Sequence, residues 1–352
     1  MKTDIIYTEG QFNIRKHDGI PEEAYQFLDS ISWGTEGALY EHKNTKERIK
    51  QIKKPILMGI YEGDQLRATA VFVSTTVTET HTPYNLIYIR YFASSKAIRG
   101  KGIIKRFSIK VMALIRELET EPTIYMGCVE KDNKSSYKVV QSAGYSKFGT
   151  VKTQGFSRFF PRWDQRIEQV KHKEAQNEVL DLLKQQYEHH ALVQFDYLFI
   201  KDNYYVIREQ GKIVAGCQYH RAHWVINNMK GVMGKIVMKV VPLIPMLNTL
   251  FNPKRFEFLA FEGVYFKPGY EAQLHTLFEG LLAKEHLKSA MFWLGETCPI
   301  RATLLKKGKL GLLHRFVKDS DIEIMTSFKN INASEIANMK SKPLYASAFD
   351  FI

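Results

Sequence analysis

The sequence predicts an α/β protein (a mixed α+β sheet type) of two domains, each with a central mixed, mostly antiparallel sheet flanked by helices. A length of 352 residues is more than one ordinary core organises and suits two domains of roughly 150 to 180 residues each. Strand-like and amphipathic helical segments alternate in a similar order in both halves, which indicates a repeat. The predicted domains span residues 1–160 and 166–352, with a linker around 161–169.

The first half contains seven predicted strands and four predicted helices. Gly63-Asp64 joins two strands as a hairpin signal, and Gly144 ends the last helix in a position that favours a left-handed residue. In the longest helix, apolar residues recur at three- and four-residue spacing from Ile104 to Leu118. The predicted strands are 12–17, 55–63, 67–77, 85–93, 123–130, 145–151 and 155–160, and the helices are 21–31, about 46–54, 104–118 and 133–142.

The second half follows the same plan and adds one unusual segment. The predicted helices are 174–187, 270–285 and 298–308, and the strands are 203–210, 212–220, 256–266, 289–296 and 322–328, with a terminal segment at 344–351. Residues 230–255 carry five cations and no acid, and their charge-free run 240–253 contains three prolines. That run is too short and broken to span a membrane. Contact with an anionic bilayer, an apolar substrate groove, or an insertion packed on the core or at a subunit contact all fit it.

Composition and charge limit the possible partners. The N-terminal residues show no apolar core with a small-residue cleavage site, so no secretory signal is predicted. Cys128, Cys217 and Cys298 lie far apart, which argues against a disulfide framework or a clustered metal site and favours a reducing, cytoplasmic setting. The net charge of +13 favours anionic partners such as a nucleotide-like cofactor, nucleic acid or an acidic membrane surface.

The loop between residues 97 and 107, AIRGKGIIKRF, predicts phosphate binding. Gly100 and Gly102 allow backbone angles closed to other residues and a close approach of the main chain to a ligand. Amide N–H groups from Arg99 to Ile104 would point to one spot at the positive end of the following helix. The sequence lacks the third glycine of GxGxxG and any GxxxxGK[ST], which disfavours a dinucleotide enzyme and an NTPase.

Two motifs together resemble the GNAT superfamily of N-acetyltransferases. The family's acetyl-CoA loop, R/Q-x-x-G-x-G/A, is similar to Arg99–Ile104, although Ile104 replaces the final small residue. Downstream, the family pattern N-x-x-A-x-x-L-Y-x-K-x-G-F resembles a segment with Asn133, Ser136, Val139, Gly144 and Tyr145 at matching positions. The resemblance covers about residues 10–160.

The resemblance implies an acetyl-CoA site in the first half. The pantetheine arm would pair with the backbone of Phe92, Ala93 and Ser94, and Asn133 and Ser136 would approach the thioether. The pyrophosphate would bind over the loop residues Arg99, Gly100, Lys101, Gly102, Ile103 and Ile104.

The position of the family's general-acid tyrosine is Val140 here, so the catalytic groups are open. Tyr137, one turn earlier on the helix, is the nearest substitute, and a packed core aromatic is the alternative interpretation. Glu130, at the end of a predicted strand, could deprotonate an acceptor ammonium through a water, or could be a solvated strand-end carboxylate.

The second half is predicted to lack a cofactor. Aligning SKAIRGKGI with KPGYEAQLH places Glu271 against Arg99 and Leu274 against Gly102, and a carboxylate and added bulk both oppose a pyrophosphate.

The leading functional hypothesis is an acyl-CoA-dependent N-acyltransferase that acetylates a primary amine, with an amine acceptor of unknown identity and no metal. An aminoacyl-tRNA-dependent transferase of tandem GNAT-like fold is one alternative, since +13 would suit tRNA, although such enzymes lack the glycine loop. A non-catalytic CoA-binding protein is the other, and a homodimer is possible in each case.

Overall fold

Two compact units divide the chain in the computed structural model. Residues 2–34, 38–79, 82–229, 231–307, 309–317 and 320–352 are described. Unit 1 comprises residues 1–149 and 322–339, and unit 2 comprises residues 150–321 and 340–352. Each unit has its own set of neighbouring strands and its own apolar core.

The first part of the chain builds most of unit 1. Its elements are β1 (Thr3–Glu9), β2 (Phe12–Asp18), α1 (Glu22–Asp29), β3 (Trp33–Gly34), β4 (Leu39–His42), α2 (Thr45–Ile49), β5 (Ile56–Glu62), β6 (Gln65–Glu79), β7 (Thr82–Ser94), α3 (Ile103–Leu118), β8 (Thr123–Glu130), α4 (Lys134–Ser142) and β9 (Ser146–Ser157).

The remaining elements follow in chain order. They are β10 (Ile167–Gln169), α5 (Lys173–Gln186), β11 (Tyr204–Glu209), β12 (Lys212–Asn228), α6 (Gly231–Val240), α7 (Pro245–Asn248), β13 (Phe256–Phe266), α8 (Glu271–Lys284), β14 (Ser289–Gly295), α9 (Pro299–Lys307), α10 (Leu312–Val317), β15 (Asp321–Lys329) and α11 (Ala333–Ser341).

The sheet of unit 1 has the strand order β1-β2-β5-β6-β7-β8-β15. The described neighbours are antiparallel except β7 and β8, which are linked through α3 and run parallel. The apolar face of α3 packs on this sheet through the buried side chains of Phe107 and Val111, which share a core with Tyr125 of β8 and Met325 of β15. The predicted mixed, mostly antiparallel sheet with flanking helices is confirmed.

The strands of unit 2 follow the order β9-β14-β13-β12-β11-β10, and among these described pairs β13 and β14 run parallel while the others are antiparallel. Helix α8 connects these two strands and packs Leu277, Phe278 and Leu281 against Phe261 of β13. A parallel pair joined by a helix is therefore common to both units.

The unit boundaries differ from the sequence-based domains 1–160 and 166–352. Residues 151–157 of β9 pair with β14 of unit 2, and residues 322–329 of β15 pair with β8 of unit 1. The last strand of each half thus contributes to the sheet formed mainly by the other half, and β9 is one strand where the sequence suggested two.

The segment 230–255 contains α6, α7 and a short 3-10 turn between them. Val232, Ile236 and Val240 are exposed at four-residue spacing along α6, which places them on one face. Within the described residues, no helix is both long and apolar enough to cross a membrane.

Two strand glycines allow a test of the packing. A Cβ on Gly155 of β9 would lie 2.7 Å from the backbone nitrogen of His314, whereas a Cβ on Gly127 of β8 would meet no atom within 4 Å. We expect Gly155→Ala to lower the free energy of unfolding by about 1–3 kcal/mol because the backbone of α10 must move. Gly127→Ala, the matched control, should stay within about 0.5 kcal/mol of the wild type. Urea denaturation measures both, and equal stability of the two variants would contradict the packing at Gly155.

Candidate functional site

The parallel strands β7 and β8 separate before either strand ends. Their residues pair from Asn85–Thr123 to Ile89–Gly127, but β7 continues to Ser94 and β8 to Glu130. Beyond Ile89 the edge of β7 that faces β8 has no strand partner among the described residues. Because ligands bind outside the carboxyl ends of parallel strands, this divergence is the first candidate for a site.

A β-bulge in β7 marks the divergence. Thr69 of β6 pairs with Ala93 and Val71 pairs with Arg90, so Tyr91 and Phe92 together oppose a single residue. Tyr91 has a φ of +49°, a left-handed conformation that is uncommon outside glycine and clusters at functional sites. The hydroxyl of Thr69 donates to the Tyr91 carbonyl at 2.9 Å and holds the bulge.

The glycine loop joins the end of β7 to α3. Gly100 and Gly102 have φ values of +77° and +72°, so both need the left-handed region that glycine tolerates. The amides of residues 99–105 donate to no protein group in the described parts of the chain, and the first helical bond runs from Arg106 to Gly102. A Cβ on Gly100 would meet no atom within 4 Å. The loop therefore presents a row of free donors at a helix N-terminus, which is an anion-binding geometry.

Cations surround these donors. Lys96, Lys101 and Lys105 are exposed and form no ion pair with any described residue. Arg99 instead bonds the Ser94 carbonyl at 2.7 Å and ties the loop to the end of β7, and Arg106 pairs with Glu9 at 3.0 Å. The lysines therefore remain available for an anionic ligand.

Gly127 leaves room where the strands part. Residues at every second position of a strand share a face, so Gly127 faces the same side as Tyr125 and Val129, which pack in the core with α3. Nothing lies within 4 Å of where its Cβ would be. The α3 side of the divergence is therefore open at Gly127.

Asn133 and Ser136 lie at the N-terminus of α4, just after β8. The Asn133 side-chain oxygen accepts from the Ser136 amide at 3.0 Å and caps the helix. This structural role accounts for the asparagine, and an approach of either residue to a thioether stays a prediction.

Tyr137 and Val140 are both half-buried and pack against the core of unit 1. The Tyr137 hydroxyl forms no hydrogen bond with a described residue. The Tyr137 ring therefore packs in the core, as the alternative interpretation from the sequence predicted. Its hydroxyl has no hydrogen-bonding role among the described residues.

Glu130 is not a solvated carboxylate. Its side chain is half-buried and accepts a hydrogen bond of 2.6 Å from the Tyr40 hydroxyl. Burial raises the pKa of Glu130, the Tyr40 bond opposes this shift, and the charge of Asp132 adds to it. A carboxyl group with a raised pKa at the end of β8 is a suitable proton acceptor near neutral pH.

Several aromatic and cationic residues near the bulge escaped the sequence analysis. Trp33 stacks on His42 with ring centroids 5.6 Å apart, and His42 stacks on Tyr40 at 5.4 Å. Trp33 also meets Tyr91 edge-on at 6.3 Å. Arg48 of α2 is only 5% exposed. No sequence signal marked this group, because β3, β4 and α2 are short and have no clear periodicity.

The corresponding loop of unit 2 is built differently. Helix α8 has Tyr270 at the N-cap position that Gly102 occupies in α3, so the sequence alignment with Leu274 was four residues out of register. The Glu271 carboxylate accepts from the amide of Gly269 and so occupies a donor at the helix start. The predicted obstacles to a phosphate, a carboxylate and side-chain bulk, are therefore both present, at shifted positions.

The chain's own C-terminal segment lies where β13 and β14 diverge. These strands pair only at Leu259–Ala290 and Ala260–Met291. Beyond that point Phe351 stacks on Trp293 of β14 at 5.2 Å, and the Ser347 hydroxyl donates to Glu262 of β13. Protein side chains thus contact both separated strands of unit 2.

The described residues contain no group of three or more His, Cys, Asp or Glu side chains that could hold a metal. The three cysteines are free.

No protein-family model and no curated protein matches the sequence, but solved structures match the fold. An N-myristoyltransferase of Saccharomyces cerevisiae with bound myristoyl-CoA superposes with a TM-score of 0.60 at 10% identity, over 97% of this chain and 90% of that one. A second structure of that yeast enzyme gives 0.61 at 11% identity, over 93% and 81%. A GCN5-related N-acetyltransferase of Anabaena variabilis gives 0.51 at 12% identity, over 89% and 72%. At these identities the likeness concerns the fold alone, and it agrees with the fold that the sequence predicted.

We expect Gly102→Glu to abolish CoA binding in a folded protein, because a carboxylate and a side chain would intrude on the free amides of the loop. Gly211→Glu is the matched control. Its φ is +76° and its Cβ would meet nothing within 4 Å, while a Cβ on Gly102 would be in ordinary contact with Nη1 of Arg106 at 3.5 Å, so the control imposes similar backbone strain and the same charge in a hairpin of unit 2. Calorimetric titration with CoA and circular dichroism check the two variants. Wild-type affinity in Gly102→Glu would show that the loop is only a turn.

Proposed function

We propose that this chain is an acyl-CoA-dependent N-acyltransferase that acylates a primary amine, with one cofactor site per chain, in unit 1. The observation that supports this most is the row of unbonded amides at residues 99–105 beside the separated ends of β7 and β8. The GNAT-like fold is consistent with this chemistry. Fold alone does not specify function, so the proposal depends on the site.

The chain's own groups suit the binding of CoA. The amides of Arg99–Ile104, with Lys101 and Lys105, would hold the pyrophosphate, and the unpaired backbone edge of Phe92–Ser94 would hold the pantetheine arm. Asn133 and Ser136 would lie nearest the thioether. When bound, the cofactor supplies an activated acyl thioester. The proposed reaction joins the amine nitrogen to the acyl carbon and releases the CoA thiol.

Glu130 is the proposed proton acceptor for the acceptor's ammonium group, directly or through a water. Glu130 is the last residue of β8, the strand that diverges from the Phe92–Ser94 end of β7. Tyr40 orients it through the 2.6 Å hydrogen bond. Tyr137 is the proposed proton donor to the departing thiolate. The need for this donor is mild because a thiol has a pKa of about 8.5, so its loss should slow turnover without abolishing it.

The acyl group is proposed to be acetyl, as the sequence motifs suggest, and a longer acyl group is the alternative because the yeast neighbours were solved with myristoyl-CoA. The direct test measures release of CoA thiol from acetyl-CoA and myristoyl-CoA with a panel of amines, alongside calorimetric stoichiometry. We expect one CoA per chain and amine-dependent thiol release. Binding without amine-dependent release would favour the non-catalytic alternative, and absence of CoA binding would contradict the proposal.

We expect Glu130→Gln to lower kcat/KM about 100- to 10,000-fold near neutral pH, the usual contribution of a general base. The loss should shrink as pH rises toward the pKa of the acceptor amine, because a free amine needs no base. The measurement is kcat/KM against pH for both proteins, with Glu117→Gln on the exposed side of α3 as the control. A purely structural role would give a loss that does not change with pH.

The free energy of unfolding of Glu130→Gln also distinguishes a general-base role of Glu130 from a structural one. Because the pKa of Glu130 is raised in the folded state, stability is lost as pH rises from the unfolded-state pKa through the folded-state pKa, and the loss is complete and constant above it. Glu130→Gln should therefore be at least as stable as the wild type at pH 7 while being less active.

The dependence of kcat/KM on pH, measured in the same way for Tyr137→Phe, tests the proposed proton donor. Wild-type turnover throughout would remove Tyr137 from the mechanism.

A further inference from the structure

Three buried hydrogen-bond donors next to the bulge have no partner among the described residues. Nη1 of Arg48, the hydroxyl of Tyr91 and Nε1 of Trp33 are all inaccessible to solvent and form no hydrogen bond with the part of the chain that the structure describes. Arg48 is 5% exposed as a residue, and in the described parts of unit 1 its guanidinium forms neither a hydrogen bond nor an ion pair. Buried polar groups in folded proteins nearly always have hydrogen-bond partners, so three buried donors without a described partner need an explanation.

These donors belong to one cluster. The Trp33 and Tyr91 rings are in edge contact at 6.3 Å. Burial lowers the pKa of Arg48 to about 10, against an opposing effect of Tyr91, and the charge of Arg90 lowers it further. The side chains of Tyr91 and Arg90 are thus close enough to Arg48 to shift its pKa.

The chemistry of the cluster defines what could complete it. Arginine and the indole N–H can only donate, and the tyrosine hydroxyl can donate. Arg48 also carries a buried positive charge that forms no ion pair with a described residue, although the charges of Glu47 and of a second guanidinium, that of Arg90, both act on it. Leaving a charge buried without a counterion is costly. A ligand that satisfies this cluster must therefore accept hydrogen bonds and be negatively charged, and a planar carboxylate matches the guanidinium fork.

The cluster is connected to the proposed base. Glu130 bonds Tyr40, Tyr40 stacks on His42, and His42 stacks on Trp33. The carboxylate of Glu130 and the unsatisfied donors thus adjoin the same group of rings, because Trp33 of β3 is also the strand partner of Tyr40 of β4. A molecule with an ammonium at one end and a carboxylate at the other has the complementary charges.

We propose that the acceptor is an amino acid or a similar aminocarboxylate, whose carboxylate binds Arg48 together with the Tyr91 hydroxyl and the Trp33 indole N–H. The inference rests on the proposed N-acyltransferase function and adds the class of the acceptor. In this arrangement the amine lies toward Glu130, and Arg48 acts in binding and specificity rather than in proton transfer.

The test compares amino acids with their primary amides and with the amines that lack the carboxyl carbon, for example phenylalanine, phenylalaninamide and phenethylamine. Binding to the CoA-saturated protein is measured by calorimetry, and transfer is measured by thiol release. The variants are Arg48→Met, which keeps the length of the side chain without its charge, and Arg48→Lys, which keeps the charge without the fork. Arg15→Met is the control, because Arg15 is partnered by Asn13, Gly63 and Asp64.

We expect the wild type to prefer at least one free carboxylate over its amide by about 10- to 100-fold, the contribution of a charged hydrogen bond. Arg48→Met should bring this ratio close to one with unchanged CoA affinity, Arg48→Lys should restore part of it, and Arg15→Met should leave it unchanged. Equal use of acids, amides and simple amines would overturn the inference and leave the N-acyltransferase function standing. Carboxylate-dependent binding that requires Arg48, without any transfer, would support the binding site and contradict the proposed function.

Discussion

The separation of two parallel strands after Ile89 and Gly127 is the constraint on which the rest of the site depends. While β7 and β8 are paired, their backbone groups satisfy one another; once they part, those groups need another partner. The same geometry places the loop to α3, the N-terminus of α4 and Glu130 together at the carboxyl ends of the strands. The bulge at Tyr91, held by Thr69, fixes β7 away from β8 and so keeps the gap open.

Both units contain such a divergence, but different groups contact the separated strand ends in each. In unit 2 the C-terminal segment contacts the separated ends of β13 and β14, and Glu271 bonds a donor at the start of α8. In unit 1 the corresponding amides have no described protein partner. A parallel strand pair that diverges is thus contacted by protein side chains in unit 2 and leaves unbonded amides in the described part of unit 1. Strained Tyr91 and unpaired Arg48 are features that stability alone would not favour, as expected of a functional site.

The sequence predicted those parts of the site that depend on residue type within a short stretch. The glycine pair before an apolar periodic run specified the loop of Arg99–Ile104 directly, and the asparagine at 133 specified a helix start. The exchange of β9 and β15 between sheets could not be predicted, because strand pairing over such separations leaves no local pattern. Arg48 was missed for another reason: arginine is rarely buried without a partner, so nothing in a five-residue helix indicated that its side chain points inward. The burial of Glu130 likewise depends on Tyr40, which is distant in sequence.

Amide hydrogen exchange with and without CoA tests the central claim most directly, because it reports on individual backbone donors. If the divergence and the glycine loop of unit 1 form the cofactor site, CoA should slow exchange at residues 91–94 and 99–105 and leave residues 267–274 of unit 2 unchanged. Slowed exchange at 267–274, or unchanged exchange at 99–105 under saturating CoA, would contradict the account.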